Sequence, residues 1–190
     1  MKTFHKIGKR PNGNRCAIFR ISTDRGDQFL CTDTEPESED FSVVEVDTNH
    51  FLEMWRNDTY APHLDASQGN PATWVKDDKF HDAEAGFAHG ESNPVPLALV
   101  TCAIRNEAKN IWKRRYFFFK EYAGQQIVKR VPYITFTNGI TRTIWLLAYG
   151  AKCFPVICET KNADLLQLMA GLPDGKPQTL QKLIESSVRK

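Results

Sequence analysis

Residues 131–158 constrain this chain more than any other stretch, because the hydrophobic period changes twice within them. Residues 131–137 (Val-Pro-Tyr-Ile-Thr-Phe-Thr) are aromatic and β-branched, as a strand requires. Asn138-Gly139 makes a turn, Thr141 is placed to N-cap a helix over 142–149, and Gly150 ends it. Phe-Pro-Val-Ile-Cys at 154–158 then returns as a strand. The result is a β–turn–α–β unit spanning about 30 residues, which sets the reading of the chain as α+β.

The surroundings fit that reading. Residues 16–21 form a short strand that residues 28–31 pair with across the Asp24-Arg25-Gly26 turn. Residues 41–46 are β-branched and read as a third strand, followed by a helix over 48–56 with Phe51, Met54 and Trp55 on its core face. The acidic stretch 33–40 has no apolar residue and reads as a solvated loop or, failing that, an ion- or partner-binding one. Residues 58–92 read as a long loop-rich connection. Residues 94–100 and 114–120 read as strands, the latter apolar with basic flanks and with Phe117, Phe118 and Phe119 packed in the core or at an edge. Helices over 162–170 and 179–188 close the chain, separated by Gly171 and Pro173-Asp174-Gly175. Three portions of one folding unit are expected: a strand-rich 1–80, a core at 81–160 and the C-terminal helices at 161–190.

With 190 residues the chain is long enough to bury a core without metals or disulfides. No run approaches the roughly 18 apolar residues of a membrane-spanning helix, and the basic start lacks the apolar core of a secretory signal. Five cysteines with no Cys-x-x-Cys pair favour free thiols in a reducing compartment; Cys153 and Cys158 beside the return strand read as buried ones, and Trp145 as core. The expectation is a cytoplasmic protein, with peripheral attachment at the inner membrane left open. The net charge of +2 conceals a polarity. Residues 1–95 carry 10 basic and 17 acidic side chains, a net of −7, and residues 96–190 carry 15 and 6, a net of +9.

Three groups of residues suggest chemistry. At the strand-to-helix turn, Gly139 permits positive φ, and the free N–H groups of a helix start attract anions. An arginine in the first helical turn opposes the helix dipole unless an anion compensates it. Asn138, Gly139, Thr141, Arg142 and Thr143 could therefore cradle a phosphate, Arg142 as a bidentate donor. The alternative is a plain turn with a solvated arginine. Second, Asp82, Glu84 and Glu91, with Gly90 and Asn93 beside them and His81 and His89 as bases, could hold a divalent ion, Mg2+ above all, or position water. Asp82 and Glu84 share a face only if that segment is extended, and an exposed polar loop is the competing reading. Third, Lys109, Lys113, Arg114, Arg115, Lys120, Lys129 and Arg130, interleaved with Trp112 and Tyr116, suit a phosphate backbone and stacked bases. A solvated basic face or a protein-docking face competes.

The turn also resembles something known. Phe136-Thr-Asn-Gly-Ile-Thr-Arg-Thr-Ile-Trp-Leu-Leu-Ala-Tyr-Gly-Ala-Lys-Cys-Phe-Pro-Val156 is similar to the phosphate-binding element of the ParB/sulfiredoxin superfamily, and Glu84-Ala-Gly-Phe-Ala-His-Gly-Glu-Ser-Asn-Pro-Val-Pro-Leu-Ala98 resembles the hallmark of the plasmid fertility inhibition factor family, a branch of it. The resemblance implies a single ParB/sulfiredoxin-like domain with a mixed sheet. It further implies binding and hydrolysis of ATP or another nucleoside triphosphate, cleavage of DNA, and inhibition of conjugative and T-DNA transfer. On it, Gly139 and Arg142 match the glycine and arginine of the phosphate motif, and Arg142, Glu84 and Glu91 become the catalytic candidates. Where sulfiredoxins place Cys-His, this chain has Ile140 and Thr141, so sulfinic-acid reduction is not expected. The competing function is a non-catalytic protein that docks on the type IV secretion channel or its coupling ATPase.

Overall fold

A computed structural model describes residues 1–10, 13–33, 39–59, 63–116 and 119–186, with backbone alone at 115, 116 and 186. The chain begins with three strands, β1 (Phe4–Lys9), β2 (Arg15–Thr23) and β3 (Gly26–Cys31), then β4 (Phe41–Asp47) and helix α1 (Thr48–Arg56). Three short helices follow, α2 (Leu64–Ser67), α3 (Pro71–Trp74) and α4 (Phe80–Ala88), and a 3-10 turn at Gly90–Ser92. After β5 (Val95–Pro96) come two very long strands, β6 (Ala98–Tyr116) and β7 (Phe119–Asn138). Helix α5 (Ile140–Ala148), β8 (Cys153–Glu159), α6 (Thr160–Ala170), β9 (Gln178–Thr179) and α7 (Leu180–Ser186) complete the order. No helix is long and apolar enough to cross a membrane, among the described residues.

The strands form two sheets, in the orders β1-β2-β3-β5 and β7-β6-β8-β4-β9. The expected β2–β3 hairpin is present, from Thr23 opposite Gly26 to Ile18 opposite Cys31. In the larger sheet β4 and β8 pair antiparallel, and both are buried along almost their whole length. That burial explains why 154–158 read as one continuous apolar run. Helices α1 and α6 pack together on this sheet, and α7 touches both β2 and β4.

α1 covers the predicted residues because Asp47 caps it: its Oδ1 accepts from the N–H groups of Asn49 at 3.0 Å and His50 at 3.1 Å. Phe51 and Trp55, four residues apart on one face, are buried against Phe136 of β7 at centroid distances of 5.8 and 4.8 Å. Cys16, Cys31, Cys102 and Cys158 are buried and Cys153 half-buried, all five as free thiols. Trp145 is buried, as expected.

Several expectations change. Residues 63–92, read as loop, hold α2, α3 and α4; their apolar residues Trp74, Phe80, Ala83 and Phe87 are buried, in elements too short for a periodic signal. The β–turn–α–β unit is present as β7, α5 and β8, with β6 lying between its two strands, parallel to β8 and antiparallel to β7. Residues 114–116 and 119–120 are not an apolar core strand but the far end of β6 and the start of β7, and Phe119 is 73% exposed there. Phe117 and Phe118, residues 34–38 of the acidic stretch and the last residues of the closing helix lie outside the described residues.

One buried charge ties the N-terminus to the larger sheet. Glu45 of β4 is 2% exposed and accepts three hydrogen bonds, from Lys2 N (2.8 Å), Thr3 N (2.5 Å) and Thr3 Oγ1 (2.6 Å). Three donors to a buried carboxylate offset its desolvation. Glu45→Gln keeps the volume but removes the charge and presents a donor to those N–H groups. It is expected to cost about 1–3 kcal/mol in urea unfolding, whereas Glu53→Gln on the exposed face of α1 leaves the midpoint unchanged.

Candidate functional site

Gly139 joins β7 to α5 with φ of +92°. A Cβ there would lie 2.7 Å from Ala98 Cβ and 2.8 Å from Ala98 Cα, so both the conformation and the close approach require glycine. The glycine itself stands at the N-cap, and no side chain caps the helix. Thr141, expected in that role, is the second residue of α5. Thr143 is 1% exposed and its hydroxyl donates to the Gly139 carbonyl at 2.9 Å, so it offers nothing to an anion.

Arg142 is half-buried and turned toward oxygens of the protein itself. Its Nη1 donates to the Pro96 carbonyl at 2.7 Å and its Nη2 to Asn138 Oδ1 at 3.2 Å. The same Asn138 oxygen accepts from Leu99 N at 3.2 Å. Burial pushes the guanidinium below its ordinary pKa, while Cys31 nearby opposes that shift. The arginine at the helix start is thus compensated by a carbonyl and an amide oxygen of the protein, and its first role is to bind α5 to β5 and to the end of β7.

A cleft of about 430 Å3 opens at this turn. One wall is 137–141, including the backbone start of α5 and the half-buried Thr141; the other carries His63, Asp65, Asp77, Asp78 and Lys79. The positive end of α5 therefore faces three aspartates. Sequence reasoning passed over this wall because it lies in the segment read as loop, although Asp77-Asp78-Lys79 between two apolar patches marked a charged connection.

The carboxylates expected to hold a metal do not converge. Asp82 and Glu84 lie in α4, where two residues are about 200° apart around the axis, so the extended geometry they needed is absent. Asp82 is exposed, and Glu84 sits 3.6 Å from His81. Glu91 instead pairs with Lys6 and lies 3.6 Å from His5, and Lys6 holds its carboxyl below the usual range. Gly90, with φ of +58°, and the exposed Asn93 are not in the cleft wall. Among the described residues no three His, Cys, Asp or Glu side chains are grouped to hold a metal ion.

The basic residues belong to a β-arm, the outer part of the β6–β7 hairpin. Register runs from Leu99 opposite Asn138 to Tyr116 opposite Phe119, with bulges on the way. Strand alternation divides the basic cluster between two faces. Arg130, opposite Asn106, and Arg114, opposite Lys120, lie on one; Lys129, opposite Glu107, Lys113, opposite Glu121, and Lys109 lie on the other. The side chain of Arg115 is outside the described residues.

A family model described as plasmid fertility inhibition factor matches residues 43–171. The chain belongs to that family. This fertility inhibition factor is 26% identical to Protein osa of Shigella flexneri over 177 residues, covering 92% of this chain and 78% of that protein. Its fold matches the crystal structure of Oncogenic Suppression Activity Protein, described as a plasmid fertility inhibition factor, with a TM-score of 0.69 at 22% identity over 98% of this chain and 85% of that one.

Two substitutions test the junction. Gly139→Ala is expected to destabilise the factor by about 1–3 kcal/mol, through strained backbone and the clash with Ala98, visible as a lowered melting temperature. Arg142→Ala takes the side-chain donor from the Pro96 carbonyl and leaves Asn138 Oδ1 with Leu99 N, and it should cost a similar amount, about 1–3 kcal/mol. Arg142→Lys should fall between, since an ammonium cannot present a planar fork to both acceptors.

Proposed function

We propose that this fertility inhibition factor acts on the DNA side of conjugative and T-DNA transfer, the arm holding DNA and the cleft at Gly139–Thr141 receiving a nucleoside triphosphate. The observation that carries the reading is the arm, which projects basic and aromatic side chains away from the buried sheet. Neutralising phosphates releases counterions, so such a surface gains affinity without a deep pocket. The oncogenic suppression named for the relative is, on this reading, the same kind of interference.

The cleft supports a nucleotide role of a particular kind, within a ParB/sulfiredoxin-like element made of β7, Gly139, Arg142 and α5. The free N–H groups at the start of α5 and the Thr141 hydroxyl would meet phosphate oxygens. A bare triphosphate would be repelled by Asp65, Asp77 and Asp78 opposite, so these carboxylates fit only a phosphate that arrives with Mg2+, which is typically held by one or two carboxylates and the phosphates themselves. Bound there, the ion would supply charge neutralisation for ATP hydrolysis or DNA cleavage. Arg142 would act by holding the turn rather than by gripping phosphate.

A second reading has its own support. Arg142 and Thr143 are spent on bonds within the protein, and the carboxylates 82, 84 and 91 do not meet, which suits a non-catalytic factor that docks on the coupling ATPase or the secretion channel from the cytoplasm or the inner membrane's inner face.

Replacing Lys109, Lys113, Arg114, Lys129 and Arg130 by Gln separates the two. On the first reading this variant binds DNA more weakly and loses transfer inhibition in mating assays. Its salt dependence on duplex should be shallower by about 0.9 for each phosphate no longer neutralised. Intact inhibition without DNA binding selects docking. For the cleft, Thr141→Ala and Asp77→Asn should weaken nucleotide binding measured calorimetrically in Mg2+, and a chelator should abolish it; binding that survives both rejects the cleft as the nucleotide site.

A further inference from the structure

We propose that one face of the arm is a platform for single-stranded nucleic acid, with unpaired bases stacked on Trp112 and Tyr122 and phosphates met by Arg114, Lys120 and Arg130. The inference rests on the reading of the arm as a DNA-binding element and specifies the form of DNA and the face that takes it.

The platform continues a core surface. Val100 and Cys102 of β6, with Ile134 and Phe136 of β7, form a buried or half-buried face, Phe136 lying against α1. The next pair, Ile104 opposite Pro132, marks where that face leaves the body: Asn57 at the end of α1 donates to the Pro132 carbonyl at 3.1 Å, and Ile104 is already exposed. Because cross-strand partners share a face, the pairs beyond it are Asn106 with Arg130, Ala108 with Ile127, Asn110 with Gln125, Trp112 with Tyr122, and Arg114 with Lys120. Side-chain geometry agrees. Gln125 Nε2 donates to Asn110 Oδ1 at 3.1 Å, and the Trp112 and Tyr122 rings are 5.7 Å apart at 74°.

Charge and chemistry then point to one occupant. Among the described residues, both carboxylates of the arm, Glu107 and Glu121, lie on the opposite face, opposite Lys129 and Lys113. The platform face keeps three cations and, among those residues, no carboxylate, which favours a polyanion. A second copy of the same face would set like charges against each other. Trp112 is 55% exposed and Tyr122 52%, a large apolar area to leave in water unless something stacks on it. Paired bases present only their edges in a groove, whereas unpaired bases present their rings, and aromatic stacking accepts any base. The two amides between the aromatic and Arg130 pairs suit base edges or sugar oxygens without demanding a sequence.

The test uses the full chain with a labelled mixed-sequence oligonucleotide, as single strand and as duplex, in anisotropy titrations. Trp112 is the exposed tryptophan, the other three being buried, so quenching on binding that Trp112→Phe removes reports stacking there. Expected are tighter binding of the single strand, quenching of Trp112, and a loss of about 5- to 150-fold in single-strand affinity for Trp112→Ala. Trp112→Phe should recover most of it, and Ile111→Ala, at the same depth on the other face, should change it by less than about twofold. Arg114→Gln with Lys120→Gln should lower the slope of log affinity against log salt by about 1.4. Equal affinity for duplex, with no effect of Trp112→Ala, overturns the platform but leaves the DNA reading standing. Failure to bind either form overturns both. Dimerisation in sedimentation that Trp112→Ala abolishes assigns the face to a second copy, and loss of transfer inhibition without change in any DNA affinity assigns it to a protein; either overturns the proposal.

Discussion

The β6–β7 arm and the start of α5 depend on how closely the chain passes itself at Gly139. There is no room for a Cβ against Ala98, and the residue must sit at positive φ, so the end of β7 and the beginning of β6 are held at one separation and one register. Arg142 locks the approach from the other side by bridging the Pro96 carbonyl and Asn138. Leu99 opposite Asn138 is the base of a ladder that runs out to Tyr116 opposite Phe119. A slip of one residue at the base would exchange the faces along the ladder. The junction sets the starting register, and the bulges further out adjust it, so the two together decide which side chains share a surface along the arm.

The same junction changes the meaning of the residues that looked catalytic. A helix start with a glycine and an arginine is a ready anion site in isolation, but here the arginine's fork is occupied by protein oxygens and Thr143 is folded into the core. What remains open is the N-terminal backbone of α5 and Thr141, facing a wall of aspartates. That wall converts a general anion site into one that favours a phosphate accompanied by a cation. Glu91, meanwhile, fastens β1 to the segment before β5 through Lys6.

How much of this was legible follows from the range of each interaction. Helix α1 was readable to the residue because its cap, Asp47, and its core face, Phe51 and Trp55, are local. The β2–β3 hairpin and the Gly139 turn were readable for the same reason. The arm was not: residues 104–130 show polar and apolar side chains in no clean period, because beyond the body neither face is buried among the described residues, and bulges in β7, opposite 107–108 and 111–112, interrupt its alternation. Nor were α2, α3 and α4, too short to display a helical stripe.

The sequence by itself determined the α+β class, the order of strand, turn, helix and strand around Gly139, and the concentration of positive charge in the second half. These depend on backbone preference and composition, which act within a few residues. Only the tertiary structure decided that Arg142 answers to Pro96, that Glu91 answers to Lys6, and that the basic cluster divides between two faces with the exposed aromatic pair on the one free of carboxylates. Those are partnerships across strands and between distant segments, set by register and close packing, and no local pattern encodes which partner a charged side chain will meet.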